Sequence, residues 1–160
     1  MIKSILAVVA GLAVAMPAQA ASWKDINLLT ELVAGTGTEV KVDDCEDGIH
    51  GFYQYNKEKG IDLLMICKNS VDMQDPDAVW ETLVHESTHV MQACYGGPIT
   101  KDTYLPRMLR ELQTLAPHYY RILQQYPDGH KRLEVEAFWM ELRAPQVSID
   151  WIKNFCYSDN

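Results

Sequence analysis

His85-Glu86-Ser87-Thr88-His89 is the stretch of this chain best suited to chemistry. Two histidines four residues apart lie one above the other on a helix, so both imidazoles can reach a single metal ion. Glu86 projects to the flank of that pair. From there it can take a proton from a water without itself being a ligand. The residues therefore read as a zinc-binding, water-activating unit, provided that the surrounding sequence holds them on a rigid helix.

The surrounding sequence does so. Asp75-Pro76-Asp77 offers an N-cap, a proline at the first helical position and an acidic first turn. Val79, Trp80, Leu83, Val84, Val90 and Met91 recur at helical spacing and would bury one side. Gly96-Gly97-Pro98 stops the helix about two turns after His89. A half-buried helix of roughly 19 residues is long enough to hold both ligands.

A catalytic zinc needs three protein ligands and one position for water. The spacing H-E-x-x-H-x-x-G-x-x-H fails, because Gln92 occupies the glycine position and Tyr95 the last histidine position. Asp102 has no helical platform, His118 beside Tyr119 and Tyr120 suits packing or the substrate side, and His130 suits a solvated loop. Glu134 and Glu136, in the amphipathic segment Leu133–Phe138 about 45 residues after the motif, are the better candidates. Either could be presented to the metal by a helix lying across the first.

With these two segments in place, the chain resembles the gluzincin class of zinc metallopeptidases, especially its small single-domain forms. The resemblance rests on His85-Glu86-x-x-His89 and on Glu134-x-x-Ala137. It implies His85, His89 and Glu134 as ligands of one Zn2+ ion and Glu86 as the general base, with Glu136 the competing third ligand. The small Ala137, one turn past Glu134, would let the two helices approach closely. Gluzincins commonly place an acidic or amide residue four after the glutamate, to hydrogen-bond a ligand histidine. Here that position is Phe138, so the partner of the histidine is left open.

Other elements must frame this site. Ser22 can cap a first helix from Trp23 to Ala34. Three strands follow, Glu39–Val42, Ile49–Tyr55 and Ile61–Cys67, the last two flanking a hairpin loop at residues 56–60. The nearly all-apolar Ile61–Cys67 suits a strand covered on both faces. Helical sequence runs from Pro106 to Gln125 with a break at Pro117, then from Leu133 to Arg143, then from Ser148 to Phe155. The expected fold is α+β, a small antiparallel sheet packed on the motif helix and followed by further helices, in a minimal zincin-like arrangement.

Residues 1–20 have the form of a signal peptide: Lys3, an apolar run from Ile5 to Val14, and Ala18-Gln19-Ala20 as a small-residue cleavage site. Residues 21–160 would then form one exported domain, periplasmic or extracellular, with no membrane span left after cleavage. An even number of cysteines in an oxidising compartment suggests two disulfides, and Cys45–Cys67 with Cys94–Cys156 is the preferred pairing. Without Lys3, 13 basic residues face 22 acidic ones. No basic stripe could neutralise phosphates, which argues against nucleic acid as a partner.

The expected function is an exported zinc metallopeptidase that hydrolyses peptide bonds of a peptide or protein substrate through a zinc-activated water, with Glu86 as general base. The alternative is a zinc-binding, catalytically silent interaction domain. Tyr104, Tyr119, Tyr120, His118 and His130 are all possible donors to an oxyanion, and no spacing rule ranks them.

Overall fold

A computed structural model describes residues 20–158. The expected leader, apart from Ala20, lies outside the described residues. The chain is α+β, with six helices and one three-stranded sheet among the described residues. Helix α1 (Trp23–Gly35) starts from a reciprocal cap in which the Asp25 amide donates to Ser22 Oγ (3.3 Å) and the Ser22 amide to Asp25 Oδ2 (3.0 Å). Strands β1 (Glu39–Asp43), β2 (Gly51–Asn56) and β3 (Ile61–Cys67) follow, β2 and β3 joined by the expected hairpin.

The sheet departs from expectation in one pairing. Its order is β1-β3-β2, with β2 antiparallel to β3 but β1 parallel to it, so the sheet is mixed. The reason lies in residues 44–50, which cross the end of β3 instead of turning back beside β1. They are held there by the Cys45–Cys67 disulfide, by the reciprocal hydrogen bonds of Cys45 with Asn69 (both 2.9 Å), and by the Cys67 amide on His50 O (2.8 Å). β3 becomes the central strand, and β2 becomes an edge.

Helix α2 (Pro76–Tyr95) carries the motif. Asp75 caps it, accepting from the Asp77 amide at 3.0 Å, and Gly96 ends it in the left-handed region at φ 87°. Pro117 divides the next helical stretch into α3 (Leu105–Leu115) and α4 (Pro117–Leu123), after a short 3-10 turn at Asp102–Tyr104. Helix α5 (Asp128–Glu141) begins five residues earlier than the expected Leu133. Pro127 is fixed in extended backbone, and its carbonyl accepts from the His130 (2.9 Å) and Lys131 (3.1 Å) amides, which starts the first turn. Helix α6 (Pro145–Cys156) closes the fold, tied to the end of α2 by the second expected disulfide, Cys94–Cys156.

The buried apolar residues form two clusters. One joins α1 (Leu29, Val33), β3 (Leu64, Ile66), α2 (Leu83, Val84, Met91) and α6 (Ile152); the other joins α3 (Met108, Leu112), α4 (Tyr119, Leu123) and α5 (Val135, Phe138). Met140 of α5 belongs to the first cluster while Val135 and Phe138 belong to the second. α5 thereby enters both clusters, each fully buried leucine of which adds about 1.5–3 kcal/mol. Ala137 is fully buried on α5, the small residue that allows close approach. Among the described residues, no helix is long and apolar enough to cross a membrane.

Candidate metal centre

The crossing of α2 and α5 brings together His85, His89 and Glu134, whose ligand atoms all lie within 4.8 Å of one another. His85 Nε2 is 3.2 Å from Glu134 Oε2, and His89 Nε2 is 3.5 Å from Glu134 Oε1. Metal–ligand distances of about 2.0–2.1 Å in a tetrahedron separate neighbouring ligand atoms by about 3.3 Å. The spacing and the N, N, O donor set therefore fit a divalent metal ion.

What lies behind the histidines fits as well. His85 Nδ1 is 2.6 Å from Glu141 Oε1, and His89 Nδ1 is 2.7 Å from Gln92 Oε1. When the rings are neutral and both Nδ1 atoms donate to these acceptors, both Nε2 atoms hold lone pairs toward Glu134, the tautomer a metal requires. Phe138, edge-on to His85 at 4.7 Å between ring centroids and stacked on Tyr119 at 4.8 Å, fixes the His85 ring by packing. The residue that orients His85 is thus seven positions after Glu134, not four. Seven residues is two helical turns, so Glu134 and Glu141 share a face of α5. That spacing is present in the sequence and was not weighed there, nor was Gln92, three residues after His89.

Charge follows from this packing in the metal-free protein. Burial by itself would lower His85, but the hydrogen bonds with Glu134 and Glu141 and the negative charges of Glu141 and Glu86 outweigh it and push its pKa up to about 10. Burial would raise Glu134, but hydrogen bonds and charge from His85 and His89 hold it down to about 2. Glu86 is different. Burial raises its pKa, with the histidines and the Tyr53 backbone opposing. It has no fixed cation of its own, and it lies beside the ligand pair.

Gly51 at the start of β2 explains how Glu86 can be covered yet remain at the cleft. A Cβ there would stand 2.6 Å from Thr82 Cγ2, 2.8 Å from Met65 O and 3.3 Å from Glu86 Cγ. Only glycine lets the edge strand close over α2 at this point. A cleft of about 760 Å³ opens over the site, walled by Phe52, Tyr53 and Tyr55 of β2 on one side and by Tyr126 and His130 on the other. A second cleft of about 550 Å³ also reaches Gly51, His85, Glu86 and Tyr126.

The other expected residues are placed elsewhere. Glu136, the competing third ligand, does not face the histidines. It is fully buried, with Oε2 accepting from Gln92 Nε2 (2.9 Å) and the Ile99 amide (3.0 Å), and Oε1 from the Thr100 amide (2.8 Å), Thr100 Oγ1 (2.5 Å) and Arg132 (3.0 Å). Two residues along a helix is a rotation of about 200°, which turns Glu136 away when Glu134 faces α2. Asp102 is 96% exposed and pairs with Arg132. Tyr104 lines a separate groove with Trp139 and Trp151. His118 packs on Tyr119, whose hydroxyl donates to Glu81 Oε1 at 2.5 Å. His130 does reach the main cleft, as does Tyr126, which was not among the expected donors. Burial and the charges of Glu134, Glu86 and Glu141 raise the Tyr126 pKa, keeping its hydroxyl protonated.

One protein family, described as a domain of unknown function (DUF8637), matches residues 24–157 of the chain. No curated protein and no solved structure matches it.

Proposed function

This chain belongs to the DUF8637 family, and from the geometry of its metal centre we propose that it is an exported zinc-dependent peptidase of the gluzincin kind. The observation that carries this reading is the orientation of both imidazoles: each Nδ1 is engaged by an acceptor behind it and each Nε2 is turned to Glu134 at the floor of an open cleft. Zinc bound by His85, His89 and Glu134 would supply Lewis acidity toward a scissile carbonyl and a water.

The chain's own residues do the rest. Glu86 accepts the proton of the attacking water and returns it to the leaving amide nitrogen. Its raised pKa brings it closer to neutrality, where a base can both take and give a proton. The Tyr126 hydroxyl, on the cleft wall, is the donor available to the carbonyl oxygen as it becomes negative. The edge strand β2 offers main-chain groups to an extended peptide along the cleft. Two disulfides support a location outside the reducing cytoplasm.

Metal analysis of the purified protein, followed by a peptidase assay of wild type and Glu86→Gln, tests the reading. One zinc per chain is expected, with Glu86→Gln keeping the zinc and losing about 10²–10⁴-fold in activity. Zinc without any Glu86-dependent cleavage would point to the catalytically silent interaction domain. A protein that takes up no stoichiometric zinc would defeat both readings.

A further inference from the structure

We infer that the second cleft receives a cationic side chain of the substrate, arginine ahead of lysine; this rests on the peptidase reading and names the substrate class it implies. The cleft shares Gly51, His85, Glu86 and Tyr126 with the main cleft. A peptide bound at the metal centre can therefore place a neighbouring side chain in it.

The chemistry of its walls is one-sided. Glu81, Glu86 and Glu141 all line it, and among the described residues no lysine or arginine does. Its remaining titratable walls are His50, His85 and His118 with the tyrosines 119 and 126. Glu141 is the informative member. Its side chain is only 5% exposed, and while Oε1 is engaged by His85, Oε2 is buried without any hydrogen-bond partner. The nearby Tyr119 hydroxyl has one proton, and it goes to Glu81 at 2.5 Å. Two carboxylates thus stand around one hydroxyl with a donor too few.

Buried polar atoms are rarely left unmet. A donor arriving with the substrate would meet this one. A positively charged donor is favoured over a neutral one, because Glu81 and Glu141 both line the cleft. The donor also has to reach in on an apolar stem, since Ile49, Ile122 and Phe138 line the same cleft. A planar guanidinium can present separate N–H groups to Glu81 and Glu141 at once, whereas an ammonium is a point charge, hence the order of preference.

The test measures affinity without turnover. Zinc-loaded Glu86→Gln protein is titrated by fluorescence anisotropy with labelled, end-blocked peptides that differ only in carrying arginine, lysine, citrulline or glutamate at one scanned position. At one position the arginine peptide should bind about tenfold or more tighter than its neutral isostere citrulline. Adding Glu81→Gln, at an exposed position that does not threaten the fold, should shrink that ratio to about twofold. Glu81→Arg should favour the glutamate peptide. Equal affinity for arginine and citrulline at every position, no measurable binding, or a ratio indifferent to Glu81 would overturn the inference. The two proposals fail separately. Glu86-dependent cleavage by wild type with no charge preference removes the pocket and leaves the peptidase. Charge-selective binding with no cleavage does the reverse.

Discussion

Glu134 and Glu136 are two residues apart on the same helix, and the molecule treats them as different chemical species. Glu136 is fully buried and satisfied by five donors from Gln92, Ile99, Thr100 and Arg132. All of these are amide, hydroxyl or guanidinium groups that donate at any ordinary pH. Glu134 is half-buried and meets only the ring nitrogens of His85 and His89. An imidazole nitrogen donates only when it carries a proton, and otherwise offers a lone pair. The lesson is that burial does not separate a structural carboxylate from one that could hold a metal; the permanence of its donors does. Glu136 is finished by the chain itself, whereas the Glu134 cluster is completed either by protons or by a metal ion.

Removing each carboxylate in turn should break this comparison most sharply. Glu134→Ala is expected to abolish stoichiometric zinc binding, with a loss of melting temperature in chelator smaller than that of Glu136→Ala. Glu136→Ala is expected to keep stoichiometric zinc but to lose about 3–5 kcal/mol in denaturant unfolding, because Arg132 and the residue 99–100 backbone are left without their acceptor. Two variants with the same profile would erase the distinction.

The acceptors behind the histidines should give the next largest effect. Glu141→Gln and Gln92→Ala are each expected to weaken zinc affinity about 10–100-fold, read by competition with a chelator of known affinity. Gln92→Ala bears on both clusters, since Gln92 accepts from His89 and donates to Glu136. It should also cost stability, which Glu141→Gln should do less.

A smaller effect sharpens the role of protons. In the metal-free protein the raised His85 pKa contributes stability that is fully present below the unfolded value near 6.5 and is lost as pH rises through about 10. The lowered Glu134 pKa contributes stability present above about 4.5 and lost as pH falls through about 2. Melting temperature in chelator should therefore peak between these windows and decline on the alkaline side. Zinc should remove the alkaline decline, and its uptake at pH 7 should release about one proton, measured calorimetrically in buffers of different ionisation enthalpy. No proton release would show that His85 is not protonated in the metal-free form.

Much of the frame was legible in the residues. The caps at Asp75 and Gly96 bound the motif helix, the apolar run Ile61–Cys67 marks the central strand, and the two disulfides join the expected cysteines. The caps and the apolar run are local signals, and the disulfides join the ends of elements that pack together. The start of α5 was missed because Gly129 and the exposed Asp128–His130 segment lack an apolar period, although Pro127 can open a helix without one. The parallel β1 was missed because no local pattern reports which edge of a strand its neighbour takes.

The sequence by itself determined that two imidazoles and a carboxylate would share one rigid helix, since periodicity of 3.6 residues and the capping residues act within that segment alone. Which later carboxylate would meet them depended on how α5 is rotated against α2, and that rotation is set by Val135, Phe138 and Met140 entering two separate cores. Likewise, the facts that Glu141 stands behind His85 and that it lines a second cleft were decided only by packing. Side-chain partners contributed by distant segments are fixed by the global minimum of burial and hydrogen bonding, and no window of sequence contains that sum.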